Sequence, residues 1–291
     1  MIRSGITMFS DNLQIALFSK CVQGYPLGKL IDRLQRMEIK HLDITVRPGG
    51  HVEPEKVEDQ LPEIHEILLK AGISINMLTT NILDAADRLT VKILKSAAAL
   101  GIKYYKLGYY TYEGFGTLSR QRDDVKKRVE ELSRLNTEMG LHGGFHNHSE
   151  NFFGASLWDI HYVIKDTSPV AIGVYFDPAH AVIEGGSSGW KMGMDLLADR
   201  ITMLAVKDFR WLDNKNGYAG ARRHSIEICP LEDGNVPWPD VLQILKKINF
   251  KGPVSLHSEY KGAHSFRDLN TEEVFEQTGK DLAFFRKLLN P

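Results

Sequence analysis

Strand-like and helix-like stretches alternate along this chain almost from end to end, and that alternation limits the fold more than any single motif. Eight short runs of apolar or β-branched residues stand out: Ile15–Phe18, Leu42–Val46, Ile73–Leu78, Tyr104–Leu107, Leu141–Phe145, Ile172–Phe176, Met203–Val206 and Val254–Leu256. Continuous apolar runs of this length suit strands buried on both faces. Between them the apolar residues recur at helical spacing: Leu27, Leu30, Ile31 and Leu34 share one face, as do Leu61, Ile64, Ile67 and Leu68. Ala71-Gly72, Leu100-Gly101 and Met139-Gly140 put a glycine where a helix must stop, and Phe250-Lys251-Gly252 reads the same way. Strands joined through helices run parallel. Eight such units in 291 residues predict a single α/β domain, a closed (β/α)8 barrel spanning residues 1–291. An open doubly wound sheet would carry a glycine-rich phosphate turn after its first strand, and Phe18-Ser19-Lys20-Cys21 is not one. The longest irregular stretch, from about Asp208 to Trp238, follows the seventh strand, where an insertion commonly walls an active site.

The formal net charge of -1 gives no basic excess for a nucleic-acid partner. No apolar run is long enough to span a membrane, and Met1 to Asp11 lack the charged-then-apolar layout of a secretory signal. Cys21 and Cys229 make no disulfide framework and no CxxC pair, so two reduced thiols in a cytoplasmic setting are expected. Homo-oligomerisation stays open.

Polar residues at the C-terminal ends of barrel strands face the catalytic mouth. Here those ends read Arg47-Pro48-Gly49-Gly50-His51, Lys106, His146-Asn147-His148-Ser149-Glu150, Asp177-Pro178-Ala179-His180, Lys207-Asp208 and His257-Ser258-Glu259-Tyr260. Histidines and carboxylates collect at one rim, so His51, Lys106, His146, His148, Asp177, His180, Lys207 and Glu259 are expected to face one cavity. Imidazole with carboxylate suits a borderline divalent cation. His146, Asp177 and Glu259 are the obvious ligands, with His148 or His180 as further donors; a metal-free, hydrogen-bonded substrate cluster is the competing reading. Lys207 can neutralise an oxyanion or shuttle a proton, or it can pair with Asp208 or Asp177; Lys106 carries the same ambiguity. Tyr109, Tyr110, Tyr112 and Phe115 suit either sugar stacking or loop packing. His142 reads as a satisfied barrel-bottom histidine, and His41, His65 and His161 as structural or solvated. His224 and His264 fall in loops and stay open.

Taken together, Leu42–His51, Phe145-His146-Asn147-His148, Tyr175–His180, Val206-Lys207-Asp208 and Glu259-Tyr260 resemble the xylose isomerase-like family of sugar phosphate isomerases and epimerases. That grouping also holds family 2 apurinic endonucleases and inosose-processing enzymes. The resemblance runs over nearly the whole chain. It implies one divalent metal held by Glu, Asp, His and Glu from strands five to eight. Position by position, the Asp falls on Asp177 and the last Glu on Glu259. His146 stands at the first Glu, and Ala205 at the His of a His-X-Lys-Asp motif. Two positions therefore depart from the pattern. A neutral ring nitrogen in place of a carboxylate favours zinc, manganese or cobalt over magnesium. The implied ligands are Glu259, Asp177 and His146, with His180 as orienting neighbour or fourth ligand.

The expected activity is isomerisation or epimerisation of a keto sugar, sugar phosphate or cyclitol. A metal polarises the carbonyl, Glu259 or His146 removes the neighbouring proton, and Lys207 or His180 steadies the enediolate. Arg47, His51, Lys106, His148 and His257 are the expected substrate contacts. A related lyase or dehydratase acting on a keto sugar or inosose, and a non-catalytic sugar-binding barrel, are the alternatives. Endonuclease chemistry needs a trinuclear zinc cluster, which Ala205 and the absent basic excess oppose.

Overall fold

The computed structural model describes Phe9 and residues 13–213 and 224–290. Eight parallel strands close into a barrel: β1 (Gln14–Phe18), β2 (His41–Val46), β3 (Ser74–Thr80), β4 (Tyr104–Lys106), β5 (His142–His146), β6 (Ile172–Phe176), β7 (Ile201–Val206) and β10 (Pro253–Leu256). The order around the barrel is β1-β10-β7-β6-β5-β4-β3-β2, with β2 pairing back to β1. Every expected strand lies within two residues of its observed limits. No helix among the described residues is long and apolar enough to cross a membrane.

The stretch expected to be irregular after β7 is largely regular. β8 (Asp208–Asp213) and β9 (His224–Cys229) form an antiparallel ribbon, followed by a short turn at Leu231–Asp233 and a helix from Trp238; residues 214–223 lie outside those described. Charged residues alternate with apolar ones in the ribbon, which lies half in solvent, so it lacks the continuous apolar run of a barrel strand. Asp208 anchors its base. Its carboxylate accepts from the backbone N–H groups of Phe209 (2.8 Å) and Val236 (2.9 Å) and from Trp238 Nε1 (2.8 Å). It is therefore tied to the following segment and does not pair with Lys207.

A second correction concerns the helix Trp238–Lys247. The left-handed residue that ends it is Asn249 (φ 54°), not Gly252. Gly252 is needed for close approach instead, because a Cβ there would lie 1.7 Å from the Thr202 carbonyl oxygen.

Two apolar layers share the sheet. Outward side chains pack under the helices, whereas Met77, Tyr175, Met203 and Ala205 fill the barrel itself, with Tyr104 against them. Side chains of a strand alternate between these layers, so each inward position leads two residues on to another at the mouth: Tyr104 to Lys106, Tyr175 to Asp177, Ala205 to Lys207. Gly144 makes room for this packing, since a Cβ there would sit 2.4 Å from Met203 Sδ. Gly144→Ala is expected to cost about 1–3 kcal/mol by overpacking. Met203→Ala in the same chain should recover part of that loss. Urea unfolding of the two single variants and the double variant measures the coupling, and an additive result would refute this contact.

Candidate active site

Asp177 is the first residue past β6 and the N-cap of the helix Pro178–Gly185, where its Oδ1 accepts the His180 backbone N–H at 3.2 Å. Such a cap orients the carboxylate without help from the rest of the site. Asn147 locks the neighbouring strand end to it: the Asp177 N–H donates to Asn147 Oδ1, and Asn147 Nδ2 donates to the Asp177 carbonyl, both at 2.8 Å.

Lys207, the first residue past β7, lies beside this carboxylate and is 4% exposed. Its Nζ lies 2.7 Å from His180 Nε2, 3.2 Å from Asp177 Oδ2 and 3.3 Å from Glu259 Oε2. An ammonium has three N–H groups, and these three acceptors use them all. Glu259 meets a second cation on its other oxygen, with Lys20 Nζ 2.7 Å from Oε1. Burial works against every charge here, yet the partners prevail. Lys207 is held above the usual lysine value by Asp177 and Glu259. Asp177 and Glu259 are both held well below the usual carboxylate range, with Lys207 the largest opposing influence on each.

The histidines are neutral. Burial, then the Lys207 charge, drives His180 well below its normal value. Because Lys207 donates to Nε2, the ring proton of His180 belongs on Nδ1, 2.8 Å from Ser149 Oγ. His148 lies against this ring, with centroids 3.8 Å apart, and its Nδ1–H reaches the Ser149 carbonyl at 2.9 Å. His146 stacks on Tyr175 at 4.6 Å. Its Nε2–H faces Asp177 Oδ2 at 3.3 Å, and its Nδ1 accepts the Tyr109 hydroxyl at 2.7 Å. Burial pushes His146 down to about 3. His257 is likewise pushed down to about 3 by burial; it stacks on Phe18 at 4.2 Å, with Nε2 2.7 Å from the Tyr175 hydroxyl.

On the other side of the mouth, the Lys106 Nζ sits 3.6 Å from the centroid of the Tyr109 ring and donates to the Leu107 carbonyl. Burial, reinforced by the charge of Arg47, brings it down to about 7. Deeper in the barrel, Asp43 Oδ1 accepts from Thr79 Oγ1 (2.8 Å) and Oδ2 from Ser255 Oγ (2.7 Å); burial lifts its carboxyl to about 7.

Of the residues picked from sequence, His146, Asp177, His180, Lys207 and Glu259 form one contact network. His148 joins it through His180, Lys106 through Tyr109, and His257 through Tyr175. Arg47 is half-buried and acts through its charge on Lys106 and Asp43. His51 is held instead by Thr45, with Nδ1 3.3 Å from Oγ1, while its buried Nε2 has no partner among the described residues. Lys20, Tyr175, Ser149 and Asp43 were not picked out. Tyr175 stands two residues before Asp177 on the inward face, and Lys20 stands two residues past the end of the first strand, so position alone could have found both. His142, His41 and His224 find structural partners: Val170 O and Thr202 Oγ1, Ser74 Oγ, and Asp213 respectively.

The ligand set expected for zinc, manganese or cobalt (His146, Asp177, Glu259 and His180) does not fit a metal in this arrangement. Among the described residues, no group of three or more His, Cys, Asp or Glu side chains is arranged to hold one. The reason is occupancy by other groups. Both nitrogens of His146 and of His180 are engaged, and the Lys207 ammonium stands between the two carboxylates. Beside the network, a cavity of about 330 Å³ is lined by Ser149, Glu150, Ile183, Glu184, Trp211 and His224. The segment after β7 thus lines this neighbouring cavity through Trp211, His224, Ser225 and Ile226, and of the cavity's lining residues only Ser149 belongs to the network.

The chain matches the model of the xylose isomerase-like TIM barrel family over residues 31–288. A search of curated proteins found no match. Among solved structures it is similar to the 3-keto-D-glucoside 4-epimerase YcjR from E. coli, at 12% identity and a TM-score of 0.67, covering 94% of this chain and 99% of that one. It is also similar to a D-allulose 3-epimerase from Methylomonas sp., at 15% identity and 0.68, covering 94% and 96%. A third is the probable 3-DHS dehydratase AsbF from Bacillus anthracis, at 12% identity and 0.66, covering 93% and 98%. Likeness at these identities establishes the shared barrel.

Removing the bridging cation should be costly. Lys207→Met is expected to lose about 3–5 kcal/mol of stability at pH 7, because two buried carboxylates keep their charge and lose a partner. The native carboxylates, held below their unfolded value of about 4, keep their contribution down to that pH and lose it only as pH falls on through their folded values. Without Lys207, burial raises the two carboxyls instead, so the variant takes up protons between pH 7 and pH 4 and is relieved of its cost. The gap between variant and native protein should therefore narrow from pH 7 to pH 4. A constant gap across urea titrations at pH 7, 5 and 4 would contradict the assignment.

Proposed function

The chain belongs to the xylose isomerase-like TIM barrel family, and from that premise we propose that it is an isomerase or epimerase of a keto sugar, sugar phosphate or cyclitol. It would move a proton on the carbon beside a carbonyl. The observation that carries this reading is Glu259, a carboxylate at the barrel mouth clamped between Lys20 and Lys207. Its side chain is 15% exposed, whereas those of Asp177 and Lys207 are 0% and 4% exposed.

At rest Glu259 is a weak base, because two ammonium groups stabilise its charge. Lys207 has no spare N–H, so a substrate oxygen must replace one of its acceptors. Glu259 is the most distant of the three and the most open. When the substrate carbonyl oxygen takes its place, Glu259 loses one cation and becomes more basic next to the substrate. The C–H bond then breaks towards a Glu259 oxygen, and its electron pair passes into the carbonyl oxygen, which the Lys207 ammonium holds as an enediolate. Return of a proton to the same carbon from the opposite face gives the epimer; return to the neighbouring carbon gives the isomer. Lys106 suits the first course. β4 is four places from β10 in an eight-strand ring, directly across the mouth, and an amine near 7 can give or take a proton at neutral pH.

His146 and His180 serve to position Asp177 and Lys207 rather than to move protons, since both nitrogens of each are engaged. Arg47, His51 and His148 are left to contact substrate. Cys21 and Cys229, both buried and free, fit the reducing cytoplasmic setting proposed for the chain.

Ketoses, aldoses, sugar phosphates and inososes incubated in D₂O test the reading. One of them should gain deuterium beside its carbonyl, and Glu259→Gln should slow the exchange by about 10²–10⁴-fold. A product lighter by one water would move the assignment to the lyase. Undiminished exchange in Glu259→Gln would remove Glu259 as the base, and binding without exchange would favour a sugar-binding barrel.

A further inference from the structure

We propose that the ammonium of Lys207 is the resident cation of this site and stands in place of the divalent metal that the family resemblance implies. Nζ is seated against both carboxylates that keep the expected ligand positions, at 3.2 Å from Asp177 and 3.3 Å from Glu259. It also engages His180 Nε2, the expected fourth donor, at 2.7 Å. The imidazole expected on β7 is replaced by Ala205, whose methyl group packs with Met77, Tyr175 and Met203 in the barrel interior. Lys207 lies two residues further along the same inward face, so its stem rises over the small alanine and its head reaches the space a ligand histidine would command. Lys207 keeps the lysine of the His-X-Lys-Asp pattern, and Ala205 alone departs from it: a donor is lost, and the lysine head is left as the cation against both carboxylates.

Charge and valence agree with this. Two carboxylates, Asp177 and Glu259, face two ammonium groups, Lys207 and Lys20, and the cluster is already neutral. The three N–H groups of Lys207 match its three acceptors. A metal bonded to both carboxylates at about 2.0–2.2 Å would lie beside Nζ, bringing two cations together in a largely buried site. The cation is therefore delivered by folding and needs no loading. It orients a substrate oxygen by charge-assisted hydrogen bonds at about 2.7–2.9 Å. The inference deepens and rests on the reading above in naming the cation that serves the substrate, but its test reads metal affinity, so the two can fail separately.

The native protein, purified without chelator, is equilibrated with Mn²⁺, Zn²⁺ or Co²⁺, passed through a desalting column and assayed for metal, with calorimetric titration and thermal melts alongside. Far less than one metal per chain and an unshifted melt are expected. The double variant Ala205→His with Lys207→Ala restores the imidazole and removes the ammonium. It should take up one metal per chain, bind roughly 100-fold or more tighter than the native protein, and melt higher as metal is added. Stoichiometric metal in the native protein, lost in Asp177→Asn, would overturn the proposal. So would a folded double variant, verified by circular dichroism, that binds metal no better than the native chain. If the double variant does not fold, the native protein decides: one bound metal refutes the proposal, and none upholds it.

Discussion

A carboxylate removed from water loses several kcal/mol of hydration, and two of them side by side add mutual repulsion. Asp177 and Glu259 face that cost at the mouth of this barrel, and the Lys207 ammonium between them offsets it. The rest of the site can be read as what keeps that ammonium charged and in place. The N-cap geometry fixes Asp177, Lys20 draws Glu259 from the far side, and His180 presents an unprotonated nitrogen to the third N–H. Each of these groups also needs the cation, so the cluster is cooperative: removing one member leaves the others buried without a partner.

The barrel supplies the positions. Its interior is filled by side chains two residues below the mouth, so the polar groups stand on a packed floor and not over a channel. Small residues on that floor matter as much as large ones. Gly144 admits Met203, and Ala205 packs with Met77, Tyr175 and Met203 two residues before Lys207. Histidines collect at the same level, but burial keeps them neutral, and aromatic stacking with Tyr175 and Phe18 fixes their planes. They stiffen the charged pairs, and in the proposed reaction proton transfer falls to the carboxylate and to the amine opposite it.

Much of this was legible in the sequence. Parallel barrel strands are buried on both faces, so their apolar runs are continuous and could be counted. The β8–β9 ribbon was missed because a half-exposed strand alternates apolar with charged residues, as in Asp208-Phe209-Arg210-Trp211. The rim residues were found because strand ends share one side of the barrel. Their partners were harder to see. Whether Lys207 pairs with Asp177 or Asp208 depends on which carboxylate other groups have already engaged, and Asp208 is taken by Trp238 and the backbone. Residue types alone suggested metal ligands at His146 and His180. Only the lateral packing of β5, β6, β7 and β10 reveals that a lysine head, carried past Ala205, reaches the point where those donors would converge.

That point can be observed directly. Crystals of the native protein soaked in a manganese salt, with diffraction recorded on both sides of the manganese absorption edge, locate any metal without reference to activity. The account predicts no anomalous peak between Asp177 and Glu259, and density for the Lys207 ammonium within hydrogen-bonding distance of both carboxylates and of His180. A fully occupied manganese bound to Asp177 and Glu259, with the lysine swung aside, would contradict it.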